Sequence, residues 1–132
     1  MGAIVVAACL VAGCNREPFS YVKVKGKICY EDGSLIPAKR IVLKFISLTP
    51  GPNSATNPPQ GNAEVDTKTG EFDIVSSHKY GDGVVPGDHK VLVLGDTSGL
   101  VPREYTDLAN TPLSVNTNDS PFLLKIYKQA ER

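Results

Sequence analysis

The sequence predicts an all-β domain, a single β-sandwich of six to seven short strands, on three observations. No stretch keeps helical apolar periodicity for three turns, whereas period-two alternation recurs. The 132 residues include 12 Gly and 10 Pro but no Trp, so apolar residues come in short runs cut by turn formers. Those runs are spaced as strands and turns are in a sandwich.

The first strand runs over Val22–Tyr30. Val22, Val24, Ile28 and Tyr30 share one face, with Gly26 between them; Lys23, Lys25, Lys27 and Cys29 share the other. This is a strand with one solvated side, where lysines also discourage edge pairing. Cys29 is expected there as an accessible free thiol. Glu31-Asp32-Gly33-Ser34 is a turn. The second strand, Ile41–Leu48, is apolar on both faces, which predicts that part of it is covered twice. Thr49–Asn62 has four prolines and no bulky apolar residue, so it is an exposed loop.

Ala63–Asp66 leads through Asp66-Thr67-Lys68-Thr69-Gly70 into Glu71–Val75, a hairpin with Asp capping its own turn and Gly supplying positive φ. Phe72 and Ile74 fall on one side, Glu71 and Asp73 on the other. Gly81–Gly87 is a turn-rich link. Asp88–Leu94 is apolar on both faces from Val91 onward and should be a central strand. A loop with a short turn spans Gly95–Asn110, then come Leu113–Val115 and a last strand, Phe122–Tyr127.

The amino-terminal stretch carries a different message. Leu10-Val11-Ala12-Gly13-Cys14 has the form of a lipobox, with Ile4–Ala12 as the apolar region and two small residues before the cysteine. Met1-Gly2-Ala3 lacks the positive charge with which such signals usually open. The expectation is a signal peptide over 1–13, cleavage between Gly13 and Cys14, lipidation of Cys14, a tether over 14–20, the sandwich over 21–128 and a tail over 129–132. Even fully helical, Met1–Gly13 would span only about 20 Å, short of a ~30 Å hydrocarbon core.

All 14 basic and all 14 acidic residues lie beyond Cys14, so the mature chain is formally neutral, and no basic cluster points to nucleic acid. Cys9 leaves with the signal and Cys14 becomes a thioether, so only Cys29 remains and no internal disulfide is expected. Three cysteines without close ligand spacing and two isolated histidines make no zinc pattern. No metal or cofactor is expected.

Several short motifs have a family likeness. Val24-Lys25-Gly26-Lys27-Ile28-Cys29-Tyr30, then Asp32-Gly33 and Leu35-Ile36-Pro37-Ala38, resembles the opening of carboxypeptidase regulatory-like domains. Asp66-x-x-x-Gly70-x-Phe72 resembles their second hairpin, and Pro86-Gly87-Asp88-His89-Lys90-Val91 their Pro-Gly-x-Tyr-x-Val, with His89 in the aromatic's place. Pro102-x-x-Tyr105-x-Asp107-x-x-x-Thr111-Pro112-Leu113 is similar to the ending of small planctomycete-type lipoproteins built on that domain. The resemblance implies a transthyretin-like (prealbumin-like) Greek-key sandwich and an envelope address more than an activity.

The chemical candidates are weak. His89 shares a face with Val91 and Val93, which predicts a satisfied, half-buried histidine and not a general base. His78 has no recognisable partner in the sequence, and Ser76-Ser77 lack a nucleophile elbow. Asp66, Asp73, Asp82 and Asp88 have no calcium-loop spacing, and turn capping accounts for Asp66 and Asp82. The transthyretin fold hosts the hydroxyisourate hydrolases, which resemble one another in an early His and a Tyr-Arg-Gly-Ser ending. This chain ends Tyr127-Lys128-Gln129-Ala130-Glu131-Arg132 and has no histidine before His78.

The expected protein is therefore not an enzyme and has no small-molecule substrate. It is a membrane lipoprotein of the cell envelope, facing periplasm or exterior, whose domain is a structural or protein-interaction module. The alternative is a carbohydrate- or peptide-binding module, for which Tyr80 and Tyr105 are the loop aromatics on offer. Asn15–Ser20 reaches only about 20–25 Å, so the sandwich should sit against the bilayer by its N-terminal edge. The Thr49–Asn62 loop is expected on the far side, facing a partner.

Overall fold

The computed structural model describes residues 19–49 and 57–128. Seven strands form two sheets: β1 (Gly26–Tyr30), β2 (Val42–Ser47), β3 (Gly61–Glu64), β4 (Glu71–Phe72), β5 (Asp88–Leu94), β6 (Ser114–Asn116) and β7 (Phe122–Ile126). One sheet has the order β4-β1-β7 and the other β3-β2-β5-β6. β1 and β7 run parallel, with Gly26 opposite Phe122 and Tyr30 opposite Ile126; the other pairs are antiparallel. The all-β sandwich expected from the alternation is what the chain forms, with β5 inside its sheet between β2 and β6.

Two sheets need an apolar layer between them, and here it is organised around Phe45 of β2. Its ring centroid lies 6.0 Å from that of Phe72 on β4 and 6.2 Å from that of Phe122 on β7, both in the opposite sheet. His89 of β5 meets it edge-on at 6.4 Å. Ile28, Leu43, Val91, Val93, Leu124 and Ile126 fill the space around this group. Gly26 makes the arrangement possible. It stands between Phe72 and Phe122 in the register, and a Cβ on it would lie 2.5 Å from the Phe122 carbonyl oxygen.

Several expected elements end elsewhere. Val22–Tyr30 is not one strand: Val22 bridges Val84, Lys25 donates its N–H to Ser120 Oγ, and regular pairing starts only at Gly26. Gly61 and Asn62, assigned to the exposed loop, belong to β3, and Gly61 is buried against Val84 and opposite Phe45. The outer face of β2 is only partly covered, since Val42, Lys44 and Ile46 are half-buried.

Ile74 does not follow Phe72 into the core. β4 pairs with β1 in one sheet, while Ser76 exchanges two backbone hydrogen bonds of 2.9 Å with Asn62 of the other. Crossing between sheets rotates the chain, so Val75 is buried and Ile74 is 44% exposed. The Asp66 turn forms as expected: the N–H groups of Thr69 and Gly70 bond its carbonyl oxygen, Lys68 N–H bonds its carboxylate, and Gly70 has φ of 78°.

Because backbone atoms of Phe122 crowd the α-carbon of Gly26, Gly26→Ala should lose about 1–3 kcal/mol of stability, as overpacking does. Urea unfolding measures this, and an unchanged midpoint would show that β7 can shift without cost.

Candidate functional site

Several described segments of irregular chain meet at one end of the sandwich. Val22 and Val84 exchange hydrogen bonds of 2.8 and 3.0 Å, which ties residues 19–25 to the link before β5. Thr117 N–H bonds Gly87 O at 3.1 Å, and Thr49 Oγ1 donates to Pro86 O at 3.3 Å. The residues flanking 50–56 therefore leave from the end at which residues 19–25 enter. The expectation that the Thr49–Asn62 segment lies far from Ser20 is corrected for its described ends: strand β2 runs towards the Val22 end, and β3 begins there.

Against Val22 at this end, and reaching along the edge of β3, is the segment Ser76–Gly83. The Asp82 carboxylate accepts the N–H groups of Ser77 (2.8 Å), His78 (3.1 Å) and Lys79 (2.8 Å). Burial alone would raise the Asp82 carboxyl, and those three donors outweigh it and hold its pKa below the ordinary value. Ser76 Oγ accepts from Gly81 N–H at 2.7 Å, and Ser77 Oγ donates to Gly83 O at 2.7 Å. Gly83 is obligatory, because its φ is +99° and a Cβ would fall 1.9 Å from Val22 O. The loop is thus closed by its own polar groups, and Tyr80 at its tip is 83% exposed. A groove beside Tyr80 runs along β3 past Ile74, Val42 and Asn62 to the Arg40–Glu64 ion pair, 3.5 Å apart and well exposed.

The signal-peptide and lipobox residues up to Gly13 and Cys14, the tether as far as residue 18, residues 50–56 and the tail over 129–132 lie outside the described residues; the other residues singled out in the sequence have definite places. Cys29 is not an accessible thiol: it is 3% exposed. β7 pairs with β1 along its length, and on the other side Gly70 O and Ser34 O accept the N–H groups of Ile28 and Tyr30, so Cys29 is flanked on both sides. Leu35 also folds back beside Lys27 on the same face, within 3.1 Å of where a Gly70 Cβ would be. His89 is fully buried, not half-buried. Its Nε2 lies 2.7 Å from Val85 O, so that nitrogen carries the proton, and Nδ1 has no partner. Tyr105, offered by the sequence as a loop aromatic, is buried, and its hydroxyl accepts from Tyr127 N–H at 3.2 Å. Asp88 accepts from Asn116 Nδ2 at 2.9 Å. Among the described residues no group of three His, Cys, Asp or Glu could hold a metal ion.

The opposite end is closed by charge and phenol contacts. Lys128 Nζ is 3.1 Å from Asp32 and sits 5.3 Å from the Tyr30 ring centroid. Ser34, through hydroxyl and N–H, and then Lys128 bring the Asp32 carboxyl down to about 2. Tyr127 donates to Glu104, and that bond pushes the phenol up to about 12.

Burial lowers the pKa of His89, against smaller opposing effects of the Val85 carbonyl and Asp88. The unfolded chain takes up this proton near pH 6.5, but the folded chain only at lower pH. Stability should therefore fall as pH drops below about 6.5, until the folded pKa is reached. His89→Phe should flatten that part of the pH–stability curve, and a slope unchanged by the substitution would exclude His89 as its source. Cys29 should resist a thiol reagent in the native protein and react once urea unfolds it; mass spectrometry reads the difference.

Comparison of the chain with protein families, with curated proteins and with solved structures gave no match.

Proposed function

We propose that this chain is a lipid-anchored protein of the cell envelope, whose β-sandwich is a non-catalytic structural or protein-interaction module of the carboxypeptidase regulatory-like, transthyretin-like kind. The observation that carries the reading is Leu10-Val11-Ala12-Gly13-Cys14, followed after only a few residues by a β domain. Small residues before the cysteine suit a peptidase cleft, and Cys14 supplies the sulfur that takes the diacylglycerol. No helix among the described residues is long and apolar enough to cross a membrane. Attachment in this reading comes from the lipid.

The candidate nucleophiles and bases have structural employment, which supports a binding role over a catalytic one. His89 holds Val85 O, and Ser76 and Ser77 close the loop below Tyr80. A second reading, a carbohydrate- or peptide-binding module, draws on Tyr80 alone, since Tyr105 is buried. A glycan array probed with the protein separates the two.

Cys14→Ser should block processing and abolish labelling of the chain by a palmitate analogue in a bacterial host. Normal processing and labelling of that variant would falsify the lipoprotein reading.

A further inference from the structure

We propose that the end of the sandwich bearing Val22, Ile74 and Tyr80 is a membrane-docking surface that rests in the interfacial layer of a zwitterionic phospholipid bilayer. This rests on the lipid-anchor reading and adds to it a defined contact surface and the kind of lipid it meets.

Leu48 follows β2 beside Asp88 at this end, and three more of the described large hydrophobic residues that remain exposed, Val22, Ile74 and Tyr80, surround the Ser76–Gly83 loop. They are held together by pairing and not by sequence proximity. Val22 is bonded to Val84, Gly83 N–H is bonded to Val75 O at 2.8 Å, and a Cβ on Gly81 would touch Ile74 Cγ2 at 3.9 Å. The loop below Tyr80 satisfies its own polar groups, so the ring is presented on a preorganised support and stabilises nothing beneath it. Tyrosine, with an apolar ring and a polar tip, suits the boundary between headgroups and acyl chains.

The tether selects the occupant. Residues 19–25 enter the fold at this end, and Asn15–Ser20 cannot carry it more than about 20–25 Å from Cys14. Held that close, a small apolar contact that would be negligible between free molecules acts at high effective concentration. Charge decides the kind of lipid. Lys23, Lys25 and Lys79 are exposed here, but so are Asp73, Asp88 and Asp119, while Asp82 is folded into its loop. The end is close to neutral, so anionic headgroups gain little from it.

The chain has no tryptophan, so Tyr80→Trp and Leu108→Trp each introduce a sole reporter, the second at the other end of the sandwich. Each full-length protein, produced in a bacterial host and recovered from its membranes, is placed in phosphatidylcholine vesicles with brominated acyl chains. Emission of the Tyr80→Trp protein should fall at least about twofold relative to unbrominated vesicles, because interfacial aromatic rings lie within reach of the bromines. Emission of the Leu108→Trp protein should stay unchanged, and raising salt should alter neither. Equal quenching of both, or quenching that requires anionic lipid, overturns the proposal. So does a photo-crosslinker at position 80 that captures protein in intact cells instead of phospholipid. Failure of the unsubstituted chain to float with vesicles removes the anchor and this orientation together, whereas flotation with an unquenched Tyr80→Trp protein removes the docking alone.

Discussion

Phe45 is the contact on which the rest of the sandwich depends. It comes from the four-stranded sheet and is held between Phe72 and Phe122 of the three-stranded one, at ring-centroid distances near 6 Å. That grip fixes how far apart the sheets stand and which residues of β4 and β7 must face inward. It also dictates two absences. Gly26 has no side chain because Phe122 fills the space, and Gly61, opposite Phe45, has none because Val84 does. Large rings and missing side chains are two halves of one packing solution, and neither can be altered alone without overlap or a void.

The same packing explains why Ile74 and Tyr80 are left exposed. Phe72 must point inward from one sheet, and three residues later Val75 must cover the other. The chain between them therefore turns over, and Ile74 is left outside. Ser76 then pairs with Asn62, and the following loop has to close on itself to return the chain to Val84. Asp82 does the closing, and Tyr80 is the residue that the closed loop has no room to bury.

Alternation was a good guide wherever a strand kept one partner on each side. β2 and β5 were legible for that reason, and so was the Asp66 turn, whose signals are all local. Val22–Tyr30 misled because its alternation continues across Gly26 although its hydrogen-bonding partner changes there. Alternation also gives a side chain's face but not what lies over it, which is why Cys29 seemed solvated. Of the candidate surface, only Tyr80 could be read from the sequence, as an aromatic among turn formers. Its companions Val22 and Ile74 read as core residues, and their exposure follows from pairings between distant parts of the chain.

The parallel pairing of β1 with β7 has a mechanical consequence. The described chain enters at the foot of one strand and leaves at the head of its neighbour, five residues further along the same direction. A pull on the carboxyl-terminal side, against a fixed point on the amino-terminal side, would slide these strands past each other along their length. The interstrand hydrogen bonds would then bear the load together and not break one after another from an end, as when a hairpin is peeled open. Resistance to forced unfolding, which is governed by the unfolding rate and not by equilibrium stability, would be concentrated in this pair. In the lipid-anchored orientation proposed above, that direction of pull would be the one along the membrane normal.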